Sequence, residues 1–116
     1  MDQGERNEAL QMAQQKMSES RQWWAAWDLA IHRYRCWALY FAAYSDELDE
    51  VSTFDPLWKP LNQGAYAAHD HMLVCVQDIW SCARSAVACE MAARIFYEEH
   101  EERETGRRGG CDGGAC

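Results

Sequence analysis

Between Glu5 and Ser45 there is neither a proline nor a glycine, and apolar residues recur at steps of three and four. Few folds are open to such a stretch. An unbroken run with that period reads as one long amphipathic helix rather than a strand or a chain of turns. Its main row is Trp23, Trp27, Ala30, Tyr34, Trp37, Phe41, Tyr44 and Leu48. A neighbouring row, Leu10, Met17, Trp24, Ile31 and Ala38, repeats every seven residues and widens the apolar face. The part before Ser18 is helix-prone but weakly apolar, and is expected to project or fray.

A second helix follows the same rule. Ala65, Ala68, Met72, Cys75, Ile79, Cys82, Ala86, Cys89, Ala93 and Phe96 alternate steps of three and four. Asn62 is the expected N-cap. Gly106 is the expected stop, with Arg103 and Arg107 near the negative end of the helix dipole. Between the helices, Asp55-Pro56 reads as a cap followed by proline at the first helical position, opening one short turn that Pro60 ends. Phe54, Leu57 and Trp58 are expected to fold back over the end of the pair. So short a connection makes the helices antiparallel neighbours, an all-α hairpin over residues 1–105. Residues 106–116 read as a flexible glycine- and cysteine-bearing tail. Gly109-Gly110 within it would also suit a cleavage site ahead of a small cysteine peptide.

Both helices carry apolar residues beyond a single seam. On the first these are Leu29, Cys36, Leu39 and Tyr40; on the second, Leu73, Val76, Trp80, Val87, Met91 and Ile95. A lone hairpin would leave them wet, and exposed apolar area on that scale marks an interface. Two hairpins forming a four-helix homodimer are the economical solution.

Charge narrows the classes of partner. Nineteen acidic residues against eleven basic give a net of -8, which argues against nucleic acid, whose binding needs cations to displace counterions. Asp28, His32, Arg33 and Arg35 interrupt what reads as the most apolar stretch, Trp23 to Tyr44, and argue against a membrane span. The polar start, Met1-Asp2-Gln3-Gly4-Glu5, lacks the pattern of a secretory signal. A cytoplasmic location and free thiols are therefore expected.

Cys75, Cys82 and Cys89 recur every seven residues, with His71 one turn before the first. Thiolate and imidazole suit zinc or copper(I). Residues seven apart, however, lie about 10 Å apart along a helix, too far to share one ion. Each would need partners from another helix, such as Cys36, so no metal or cofactor is expected; a thiol/imidazole metal-binding bundle is the alternative reading. In His69-Asp70-His71, residues two apart diverge around the helix, so only one histidine is expected to face the core. His71 with Cys75 could form a thiol–imidazole pair, but no third group completes a catalytic set.

What remains is a non-enzymatic acidic helical protein that binds another protein, as an adaptor, a chaperone-like cap or an inhibitor. Trp24, Tyr40 and Trp80 are the expected dimer or partner contacts, since aromatics anchor interfaces. Glu98, Glu99, Glu101 and Glu102 gather toward a helix C-terminus, where the dipole disfavours them. Together they point to a partner with a basic surface.

Overall fold

The computed structural model describes residues 2–109 and is an all-helical hairpin. Helix α1 spans Asp2–Glu50 and α2 spans Trp58–Gly109. The two long helices pack against each other, and no strand occurs among the described residues. From position 110 on, the expected tail lies outside the described residues, as does most of the double-glycine site. Helix α2 runs to Gly109, three residues past the expected stop at Gly106.

The connection differs from expectation in an instructive way. Asp55 is the cap: its Oδ1 accepts from the Leu57 N–H at 2.8 Å, and its carbonyl accepts from the Trp58 N–H at 2.9 Å. The Asp55 N–H donates in turn to the Ser52 carbonyl, while Ser52 Oγ accepts from the Phe54 N–H. The helical turn begun at Asp55-Pro56 does not stop at Pro60. It continues directly into α2, with the Leu61 N–H donating to the Leu57 carbonyl at 3.1 Å. Pro60 is the third residue of α2, in the first turn, where a missing N–H is tolerated. Asn62 therefore lies inside the helix and caps nothing. Phe54 is 94% exposed and Leu57 is also exposed, so neither closes the hairpin end; Trp58 is half-buried.

The chain divides into two compact units, one made of residues up to Trp24 with those from Arg84 onward, the other Ala25–Ala83. In the first unit Ala9, Ala13 and Ser20 of α1 are buried, with Ala86 and Ala93 of α2. The segment before Ser18 does not project: Ala13 is fully buried, and Arg103 Nη1 donates to the Glu5 carbonyl at 3.0 Å. Alanine contributes little to a hydropathy row but lets two backbones approach closely. Trp23 and Trp24 also exchange the expected roles. Trp23 is exposed at 40%, whereas Trp24 is half-buried. The inward positions here include Ala13, Ser20 and Trp24. Ala13 and Ser20 lie fourteen and seven residues before Trp27, on its own heptad row, and only Trp24 takes the place expected of Trp23.

In the second unit the expected rows hold. Ala30 is buried, and Trp27, Tyr34, Trp37, Phe41, Tyr44 and Leu48 are half-buried. On α2, Ala65, Ala68, Cys75 and Cys82 are buried, with Met72 and Ile79 half-buried. Large aromatics of α1 thus lie along a seam of small residues on α2, the interdigitation that packing density demands. Gly64 shows how close the approach is: a Cβ placed there would meet the Tyr44 ring at 2.7 Å.

Two facts describe the core as a whole. Among the described residues, no side chain larger than Ser20 is fully buried. Helix α2 is also the one described helix long and apolar enough, by length and composition, to cross a membrane; an 18-residue window reaches a mean hydropathy of 1.2, with 11% of it buried. That stretch falls on α2 rather than on Trp23–Tyr44, because Trp and Tyr score low on hydropathy whereas Leu, Val, Ile and Cys score high.

Candidate functional site

No deep cleft forms among the described residues, and the chemistry-bearing side chains are dispersed along the helices. Cys75 and Cys82 are buried, Cys89 is half-buried and Cys36 is exposed. No group of three or more His, Cys, Asp or Glu side chains among the described residues comes close enough together to hold a metal ion. The seven-residue spacing keeps the α2 cysteines apart.

The histidines behave differently from expectation. Neither lies in the core, and both flank it. The His71 ring stacks on Trp37, centroids 4.0 Å apart and planes 10° apart. The His69 ring lies 5.8 Å from Phe41, tilted at 48°. Residues on either side of the buried row diverge around the helix, yet each reaches α1 from its own side. Asp70 between them is exposed. His71 is thereby engaged with an indole face, and no hydrogen bond joins it to Cys75.

A polar cluster that spans the two helices lies in the first unit. Glu90 Oε1 accepts from Trp24 Nε1 at 2.7 Å and from Ser20 Oγ at 3.1 Å. Ser20 is 1% exposed, so its hydroxyl needs this partner. Trp24 is consequently a structural residue, not a free contact. Nothing in the helical periodicity marks Glu90; the available signal was a lone carboxylate beside the Ala86–Ala93 seam.

The acidic end of α2 is split in role. Glu99 pairs with Arg103 at 2.7 Å, tying down the side chain that also reaches the Glu5 carbonyl. Glu98, Glu101 and Glu102 are exposed and, with Thr105, line a shallow hollow of about 370 Å³. Glu98 and Glu101 also border a neighbouring hollow of about 490 Å³, together with Glu90, Arg94 and Tyr97.

The largest feature is apolar and exposed. Fifteen large hydrophobic side chains are exposed among the described residues, and ten of them belong to the second unit. On α1 these include Leu29, Leu39 and Tyr40; on α2, Tyr66, Leu73, Val74, Val76 and Trp80, the last at 65%. Tyr40 and Trp80 thus stand outward as expected of contact residues. In the same unit an open groove of about 320 Å³ is lined by Phe41 and Ser45 from α1 and by Asn62, Ala65, Tyr66 and His69 from α2. No protein-family model, no curated protein and no solved structure matches the chain.

Proposed function

We propose that this chain is a non-enzymatic protein-interaction module that self-associates into a four-helix homodimer and offers an acidic surface to a basic protein partner. The observation that carries the reading is the pairing of a thin core with a greasy exterior. Among the described residues no side chain larger than serine is fully buried, while ten large apolar side chains of the second unit face outward. A hairpin with such a core gains stability by covering its exterior, at roughly 25 cal/mol per Å² of apolar area removed from water.

Protein is favoured over lipid as the cover because charge punctuates the exposed face. Asp28, Arg33 and Arg35 on α1, and Asp70, Asp78 and Arg84 on α2, are all exposed, and charges at such spacing are costly in hydrocarbon. The free carboxylates Glu98, Glu101 and Glu102 suit Lys- or Arg-rich surfaces, and contacts of that kind weaken with salt. An adaptor, a chaperone-like cap or an inhibitor each fits this description, in the cytoplasm.

Native mass spectrometry of chelator-free protein under mildly reducing conditions tests the reading. A metal-free dimer is expected. A monomer, or a species carrying stoichiometric zinc or copper, would overturn it.

A further inference from the structure

Helix α2 carries a second row with helical seam spacing, displaced by one residue from the buried one. Tyr66, His69, Leu73, Val76, Trp80 and Ala83 step three, four, three, four, three. All are exposed except Ala83, which is half-buried. A one-residue offset is about 100° of rotation, so this row looks out to one side of the hairpin. Helix α1 has a counterpart in Ile31, Ala38 and Ser45, seven apart and half-buried, with Asp28 and Arg35 exposed alongside. The two rows open on the same side of the second unit, since Ser45, Tyr66 and His69 line one groove.

The geometry points to a second copy of this chain as the occupant of that side, packed antiparallel, α2 on α2 and α1 on α1, about a two-fold axis level with Asp78. This deepens the homodimer reading above and rests on it. The seam spacing allows antiparallel layers in which Val76 meets Trp80 of the other copy and Leu73 meets Ala83, large against small each time. That register sets Asp70 beside Arg84 of the other copy; Arg84 follows Ala83 on the same unbroken helix. Helix α1 supports the same axis independently. Trp37 lies across from His71 and Phe41 from His69, and counting back along α1 from the two pairs sets Ala30 and His32 level with Asp78, which brackets Ile31. The axis that brings Ile31 to its own copy brings Asp28 beside Arg35 of the other copy. Both oppositely charged pairs then occur twice, as an isologous interface requires. A parallel pairing of α2 on α2 would instead set Asp70 on Asp70, which repels. Within the chain, Asp28 has a distant contact with His32 at 3.9 Å, and Arg35, Asp70 and Arg84 have no ion-pair partner among the described residues.

Charge exchange tests the pairing by sedimentation equilibrium at low ionic strength. Arg35→Asp or Asp28→Arg alone should weaken dimerisation roughly tenfold, because each change creates two like-charge contacts across the axis. The double variant D28R/R35D should return to within about twofold of the parent. D70R, R84D and D70R/R84D should behave in the same way. All four positions are exposed, so circular dichroism should show unchanged helix throughout. A parent dimer indifferent to the single reversals, or unrestored by the exchanges, overturns this pairing and leaves the homodimer standing. A monomeric parent overturns both.

Discussion

The indole N–H of Trp24 and the hydroxyl of Ser20 converge on a single carboxylate oxygen of Glu90, at 2.7 and 3.1 Å. One acceptor therefore serves two helix-to-helix bonds, and the buried serine has no other. Glu90→Ala should cost roughly 1–3 kcal/mol, the range for stranding buried donors of a charge-assisted bond. Glu90→Gln, which keeps an acceptor oxygen, should cost about half as much. Urea denaturation of the three proteins, compared at equal concentration, reads the difference. Equal stability of all three would mean that the cluster holds nothing.

At Gly64 two effects oppose each other. Alanine is favoured over glycine in a helix interior by roughly 0.5–1 kcal/mol, but the added Cβ would meet the Tyr44 ring at 2.7 Å. Overpacking of that kind typically costs about 1–3 kcal/mol. Gly64→Ala should thus destabilise the parent protein, yet stabilise a Tyr44→Ala background where the ring is gone. The sign change between backgrounds, read from thermal unfolding, is the diagnostic.

The two candidate caps separate cleanly. Asp55→Ala should lower stability by about 1 kcal/mol, the usual worth of a side-chain cap. Asn62→Ala should be nearly neutral, because Asn62 is already inside α2. Equal losses at both positions would place the helix start nearer Asn62 than Asp55.

Thiol reactivity should follow burial. Cys36 is exposed, Cys89 half-buried, and Cys75 and Cys82 buried. A maleimide pulse analysed by peptide mass spectrometry should label Cys36 first and Cys75 and Cys82 last, the latter waiting on local opening. Fast labelling of Cys82 would mean that the hairpin opens readily at its middle.

Much of the fold was legible because the row from Ala65 to Phe96 keeps its three-four spacing without a break. Every member of the Ala65–Phe96 row is buried or half-buried, and Asp55-Pro56 showed a cap by its chemistry, although it was read as opening only a short turn. The errors have physical sources. Pro60 and Asn62 were read as punctuation by residue type, whereas the cap five residues ahead of Pro60 makes that proline harmless. The N-terminal third of α1 looked weak because Ala9 and Ala13 add little hydropathy, although their value lies in size. Trp23 and Trp24 differ by one position, so a small turn of the face exchanges them. Of the site, Tyr40 and Trp80 were readable as outward aromatics on a helix already facing elsewhere. The engagement of Trp24 was not, since a hydrogen bond between distant segments leaves no trace in local spacing, whereas the Glu99–Arg103 pair sits at an i,i+4 spacing that could have shown it.

The seam of small residues reverses the usual map of mutational tolerance. In most domains the buried positions hold bulky side chains that can be trimmed at a graded cost. Here the innermost sites, Ala13, Ala68, Ala86 and Ala93, cannot be trimmed usefully and cannot grow without levering the helices apart. The bulky residues beside them, half in water, have room to change. Among descendants of this sequence, drift should accumulate in the aromatics, while a ladder of unchanged alanines keeps the distance between the helices.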